Sequence, residues 1–362
     1  MRKTPGCSGR IHYKQMIYPI FIPHAGCPFQ CVYCNQRAVV SDDSGKSDDI
    51  IGHVQSNLMI YANQVRRSGR SGEIAFFGGT FTALPPAVME SILGSAAFLV
   101  SDAIFTGIRF STRPDCLEEG VVDLLLRYPV STVELGAQSL SNSVLLRSGR
   151  GYRASSVRDA SRLVKDAGWK LGIQLMAGLP GDDRELFIES MHKAIGIGPD
   201  FLRIYPTVVL EGTGLADSFK KGAYAALSID EAIDWLAAAY DIALGAGVRV
   251  IRMGLHPDPA LEKPGVILAG PHHPAFGYLV KCRWWRDRVD RYFGSLPEYF
   301  GNDILLHVAP SQVSEVIGHK RSNLAHWKAR WGIGVKVVGR AGVEAGSFSL
   351  RLMPAPVEAL RN

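Results

Sequence analysis

The chain has 362 residues, 47% of them hydrophobic and 20% charged, with a formal net charge of +6. That length accommodates one large domain and a smaller one, each with a core of its own. No stretch of roughly 18 or more apolar residues suggests a membrane span, and the basic start Met1-Arg2-Lys3 lacks the apolar run of a signal peptide. A cytoplasmic protein is expected, whose six cysteines read as thiols and ligands rather than disulfides.

Residues 1–15 form an unpatterned lead-in. Residues 17–22 are apolar and β-prone and stop at Pro23, which reads as a buried strand. The loop that follows carries Cys27, Cys31 and Cys34 at C-x-x-x-C-x-x-C spacing. A polar loop over 41–49 then leads into a helix over about 50–67. From there a unit of strand, turn and helix recurs every ~30 residues. The expected strands are 73–77, 104–110, 130–135, 170–176 and 201–205; the expected helices are 85–100, 115–127, 153–168, 184–195 and 228–245. Alternating β and α implies a parallel sheet with right-handed crossovers. Six such units fall short of a complete eight-fold barrel. The expected fold class is therefore α/β, a partial (βα)6 TIM-like barrel over 1–246. After it the pattern changes to strands at 248–253, 304–308, 335–338 and 348–352 and a helix at 275–292, separated by loops such as the one at His256, a small α+β extension over 247–362.

Parallel barrels gather functional groups at the C-terminal ends of their strands. Here each predicted strand ends in a polar or glycine-bearing segment: the cysteine loop, Gly78-Gly79-Thr80, Ser111-Thr112-Arg113-Pro114-Asp115, Glu134 to Ser139, Gly178-Leu179-Pro180-Gly181, and Arg203 to Thr207. Three cysteines in one loop is an informative count. A structural zinc site wants four closed ligands, for which His24 is the candidate fourth. A cubane iron–sulfur cluster held by three thiolates keeps one iron for another ligand. Cys7, Cys116 and Cys282 are scattered singly and read as ordinary thiols.

With Tyr33 before its last cysteine, the loop resembles that of the radical S-adenosylmethionine (SAM) superfamily, whose core fold is a six-unit partial barrel. F-F-G-G-T-F-T-A-L-P from Phe76 and R-I-Y-P-T-V-V-L-E-G-T-G-L from Arg203 resemble the elongator catalytic subunit branch in particular. The resemblance implies a 4Fe–4S cluster on Cys27, Cys31 and Cys34 and SAM chelated to its fourth iron. It also implies an electron from a carrier such as flavodoxin or ferredoxin, and reductive cleavage to a 5′-deoxyadenosyl radical. It places Gly78, Gly79 and Thr80 against the SAM amino group and Tyr33 in the cluster loop. Where the elongator branch has Glu-Thr-Arg-Pro-Asp, this chain has Ser111 in place of the acid, and a hydroxyl cannot make a salt bridge. Arg113 reads as a SAM contact or as an ion pair with a capping Asp115. By similarity to oxygen-independent coproporphyrinogen oxidases, Gln138 binds the ribose and Arg150 a carboxylate. Gln174 and Gly178 lie toward the adenine, and Tyr205 faces substrate or lines the barrel.

The charge excess is confined to the tail. Residues 281–362 hold 13 Lys/Arg against 7 Asp/Glu, whereas 1–280 hold 27 of each. Aromatics are interleaved there, in R-W-W-R-D-R-V-D-R-Y-F from Arg283 and H-W-K-A-R-W from His326. This fits a footprint for RNA or a solvated face with its rings turned inward. No Q-x-x-G-x-G/A loop follows residue 250, so an acetyl-coenzyme A domain is not expected. The leading expectation is a SAM-cleaving enzyme acting on RNA or an anionic metabolite. The alternatives are a porphyrin-pathway enzyme and a non-catalytic iron–sulfur or haem carrier on the same fold.

Overall fold

Seven parallel strands, laid down in sequence order, build the main sheet of this computed structural model, which describes residues 16–22, 27–28, 30–35, 49–255, 259–295 and 303–353. They are β1 (Met16–Ile22), β2 (Gly72–Gly78), β3 (Gly107–Thr112), β4 (Val130–Gln138), β5 (Lys170–Ala177), β6 (Phe201–Pro206) and, after the two-residue β7 (Val209–Leu210), β8 (Arg249–Met253). The spatial order is β1-β2-β3-β4-β5-β6-β8, so every new strand joins beside the last. Such one-directional winding is that of a barrel wall; a doubly wound sheet reverses partway. The crossovers carry α1 (Ile50–Ser68), α2 (Pro86–Ser101), α3 (Glu119–Leu125), α4 (Asn142–Arg147), α5 (Ala154–Asp166), α6 (Arg184–Ile197), α7 (Gly214–Lys220) and α8 (Ile229–Gly245).

Local chemistry sets the ends of these elements. The Asp49 carboxylate accepts the Gly52 N–H at 2.8 Å and starts α1, and Gly69, in the left-handed region, ends it. Val54, Leu58, Ala62 and Val65 recur at helical spacing as its buried face. Ser228 and Glu231 form a reciprocal capping box at the start of α8. In β3 and β4 the apolar set Ile108, Phe110, Val133, Leu135 and Ala137 is fully buried. The alternate positions, Arg109, Ser111, Glu134, Gly136 and Gln138, carry the polar groups on the opposite face of the sheet.

Three sequence expectations need correction. Residues 104–106 are not strand: Ile104 and Phe105 donate their N–H groups back to the Leu99 carbonyl and close the end of α2. The long helix expected over 115–127 is a single 3-10 turn, Pro114–Cys116, followed by the short α3. Residues 249–253, expected in the extension, instead pair with β6 as the seventh strand of the main sheet.

The described residues divide into two units, one of 16–235 with 242–274, the other of 236–241 with 275–353. The first also contains β9 (Ile267–Ala269), which pairs with β7. The second holds α9 (Phe276–Gly294), α10 (Val313–Ile317), α11 (Ser322–Trp331) and the sheet of β10 (Ile304–Val308), β11 (Val335–Gly339) and β12 (Phe348–Leu352). β10 lies between β11 and β12, so the last two strands flank a common neighbour and do not pair with each other. Trp284, Trp285 and Trp327 are buried, Trp285 facing Phe348 and Trp327 facing Phe293. Asp290 ties α9 to α11 by accepting from Trp331 at 2.8 Å and pairing with His326 at 2.6 Å. Most of the tryptophans of the basic segment therefore serve as core. Among the described residues no helix is long and apolar enough to cross a membrane.

Candidate active site

The strand ends converge on one cavity of about 180 Å³. Cys27, Cys31 and Cys34 line it, as do Tyr33, Gly78, Gly79, Thr80, Ser111, Arg113, Gln138, Arg150 and Gln174. Every one of these was singled out in the sequence. Gln30, Thr112, Gly136 and Met176 complete the wall and were not. Gly136 and Met176 stand two positions along a strand from Gln138 and Gln174, so alternation was the signal that could have found those two. Gly178 is not among the lining residues. With φ +79° it shapes the turn after β5, held by Tyr224, whose hydroxyl donates to its carbonyl at 2.6 Å, and by Asp182, which accepts its N–H at 3.0 Å. Burial pushes the Asp182 carboxyl up to about 7 against the pull of the Gly178 N–H. His24 and the loop over 41–48 lie outside the described residues, as does His256.

Cys31 is the buried member of the trio, and two guanidiniums point at it. Arg150 Nη1 donates to its Sγ at 3.2 Å and Arg113 Nη1 approaches at 3.7 Å. Arg113 is also gripped by both oxygens of Asp115, at 3.0 and 2.8 Å, and donates to the Arg150 carbonyl. The ion pair weighed in the sequence is therefore present and faces the cavity. Asp115 sits inside the 3-10 turn and does not cap it. Arg150 spends its remaining donors on the Gly136 carbonyl at 2.5 Å and the Tyr33 and Tyr152 hydroxyls at 3.4 and 2.9 Å. Burial alone would lower the Arg150 guanidinium; Tyr33, Tyr152 and Cys31 around it hold it above its ordinary value. Cys27 Sγ lies 3.4 Å from the Thr80 hydroxyl.

Two backbone devices open the cavity. Gly78 has φ +113°, and a Cβ there would come 2.5 Å from the Ile22 carbonyl oxygen. Only glycine lets the β1 and β2 ends run this close, with Gly79 N–H on that same carbonyl at 2.8 Å. At the end of β4 the register slips between Gly136 and Gln138, and Gln138 takes φ +66°. The bulge turns the Gln138 side chain to the cavity, where it accepts from Gln174 at 3.4 Å.

A model of the radical SAM superfamily matches residues 21–194, and one of the radical SAM C-terminal domain matches 199–286. The chain belongs to the radical SAM superfamily. Its curated relatives include the tRNA uridine(34) acetyltransferase of Methanocaldococcus jannaschii, 37% identical over 185 residues, which are 49% of this chain and 34% of that protein. Elongator complex protein 3 of Saccharomyces cerevisiae is 33% identical over 186 residues, 46% of this chain and 33% of that protein. The match thus spans about a third of the length of these relatives. Among solved structures, Elp3 of the archaeon Methanocaldococcus infernus superposes with a TM-score of 0.56 at 21% identity, covering 77% of this chain and 63% of that one. Coproporphyrinogen III oxidase (HemN) of Escherichia coli gives 0.50 at 20%, covering 64% and 53%. The solved structures establish the partial-barrel fold, and the family matches with the curated relatives an Elp3-like radical SAM enzyme.

In this radical SAM enzyme the donor set suits an iron–sulfur cluster. The three cysteines are soft ligands, and cationic donors stand behind one of them. Among the described residues no three His, Cys, Asp or Glu groups are arranged to grip a single metal ion. Beneath the cavity, on the same face of the sheet, lies a charged layer of which the sequence had pointed to Glu134 and Arg203, in strand-end segments, but not to Glu73 or Arg109. Arg109 donates to Glu73 at 2.9 Å and to Glu134 at 2.7 Å. Arg203 meets Glu134 at 2.6 Å, and Ser131 and Thr132 donate to Glu73 at 2.6 and 2.7 Å. Burial would raise the Glu73 carboxyl, but Arg109 and the two hydroxyls hold it below its ordinary value. The available signal was positional: Arg109 stands two residues before Ser111, and Glu134 two before Gly136, on the same alternating face.

Proposed function

We propose that Cys27, Cys31 and Cys34 hold a 4Fe–4S cluster and that SAM lies along the strand ends from Gly78 to Gln174. When bound, the pair supplies a 5′-deoxyadenosyl radical by one-electron cleavage of a carbon–sulfur bond. The observation that supports this is the shared cavity: three thiols and groups from four strand ends open onto one space. The chain's own residues hold and insulate. Gly78, Gly79 and Thr80 offer close-approaching backbone and a hydroxyl to an amino group. Ser111 offers a neutral hydrogen bond where the elongator branch has an acid. Gln138 and Gln174 present amides to the ribose and the adenine side. Arg113 and Arg150 place positive charge behind Cys31, and Tyr33 and Tyr152 keep water from it. A carrier such as flavodoxin or ferredoxin delivers the electron.

The test is anaerobic reconstitution with iron and sulfide quantitation, followed by reduction in the presence of SAM. Wild type is expected to bind about four irons per chain and to release 5′-deoxyadenosine, and Cys31→Ala to do neither. A Cys31→Ala protein that still cleaves SAM overturns the assignment, and a wild type that makes no 5′-deoxyadenosine points to a carrier.

RNA is the second reading for the substrate, favoured by the basic excess over 281–362 and by relatives named for tRNA uridine(34). The burial of Trp284, Trp285 and Trp327 weakens it, because those rings are not available to stack on bases. Filter binding to tRNA at two salt concentrations decides: phosphate contacts make affinity fall steeply with salt, and no binding at low salt removes RNA.

A further inference from the structure

The charged layer under the cavity ends in a cation that no described carboxylate matches. Strand register sets it in line with the site. Gly136 pairs with Gln174, Gln174 with Arg203, and Arg203 with Arg252, in one row across β4, β5, β6 and β8. The first two line the cavity. At about 4.8 Å between strands, the Arg252 backbone stands roughly 10 Å from that of Gln174. One residue pair further along, Met176, also in the cavity wall, pairs with Tyr205.

The charges do not cancel. Arg109, Arg203 and Arg252 are three guanidiniums; Glu73 and Glu134 are two carboxylates, and both are engaged by Arg109 and Arg203. The surplus rests on Arg252, which is half-buried. Its Nε donates to the Gly254 carbonyl at 3.3 Å, and its charged or titratable neighbours are Tyr205 and Arg203. Burial pulls its guanidinium below the ordinary value; Tyr205 pulls against this and Arg203 adds to it. A half-buried cation set beside a like charge is costly to keep as structure alone; the Arg203 fork is taken by Glu134, and the Nη groups of Arg252 are the donors that match an oxyanion.

We propose that Arg252, with Arg203 and Tyr205 beside it, forms an oxyanion subsite that holds a carboxylate or phosphate group of the substrate in line with the cavity. This rests on the radical SAM reading of that cavity. The reconstituted protein is titrated with inorganic phosphate and, separately, with acetate, at constant low ionic strength, by calorimetry. Saturable binding of at least one anion is expected, weakened at least fivefold in Arg252→Gln and unchanged in Arg66→Gln, an exposed arginine of α1. Preference for phosphate marks a phosphorylated substrate, and preference for acetate a carboxylic acid. Binding of neither, or equal binding by Arg252→Gln and wild type, overturns the subsite. If Arg252→Gln fails to fold, Arg252→Lys decides, since it keeps the charge and loses the fork: a Kd raised at least threefold supports the subsite and an unchanged one overturns it. SAM cleavage by wild type without anion binding removes the subsite alone, and anion binding without cleavage removes the radical reading alone.

Discussion

The two layers of arginine in the main sheet are built on opposite plans. In the lower layer Arg109 and Arg203 are neutralised by Glu73 and Glu134, and the hydroxyls of Ser131 and Thr132 fill most of what remains. In the upper layer Arg150, just as buried, meets no carboxylate among its described contacts: its partners are a sulfur, a carbonyl and two phenols. Arg113 stands between the plans, with one acid and one sulfur. Paired charge stiffens a scaffold. Charge handed to sulfur and neutral dipoles is left over for whatever the sulfurs hold.

Breaking the lower layer has the larger expected effect on stability. Glu134→Gln keeps the shape but leaves Arg203 without a carboxylate partner, and a loss of about 3–5 kcal/mol in urea denaturation is expected. A loss under 1 kcal/mol would mean the layer is not a scaffold. In the upper layer, Arg150→Met is expected to cost about 1–3 kcal/mol, because the Gly136 carbonyl keeps the Tyr152 hydroxyl as donor at 3.0 Å. Its sharper readout is spectroscopic. With the cation gone from behind Cys31, the proposed cluster should titrate at a more negative potential; an unchanged potential would demote Arg150 to packing. A separate test reads Asp182 through pH. Its carboxyl titrates near 7 when folded and near ~4 when unfolded, so between those values the native state binds more protons. Stability should therefore fall as pH rises from about 4 to about 7 and level off beyond. Asp182→Asn should flatten that stretch of the melting profile, and an identical slope in both proteins would reject the assignment.

The difference between the layers also explains what could be read from the chain. The upper layer was legible because its residues sit in short contiguous segments: Cys27 to Cys34, Gly78 to Thr80, Ser111 to Asp115. Each carries glycine, proline or cysteine in an order that few other structures demand. The order of strands and helices was legible for a related reason, since apolar runs alternate with turn residues at a regular interval. The lower layer is assembled from single charged residues on four strands, and its pairs, Arg109 with Glu73 and Arg203 with Glu134, are joined only by folding. β8 was placed in the extension because the strand–turn–helix rhythm changes after residue 247. Its company in the sheet is set by β6, not by its own composition. The tail was undecided by its composition. Charge around Trp284 and Trp327 left two readings open, an RNA footprint or a solvated face with its rings turned inward, and α9 and α11 turn those rings inward.

Val32, between two of the cysteines, gives its N–H to the Ser148 carbonyl at 3.2 Å and takes the Leu215 N–H on its own carbonyl at 2.7 Å. One residue is thus riveted to two stretches that lie more than a hundred residues downstream. During synthesis the first of these rivets cannot close until residue 148 has left the ribosome, and the second not until residue 215 has. The thiols are made early but are given their posture late. The proposed cluster would therefore find its three thiols in their folded posture only after the far half of the barrel wall has been delivered.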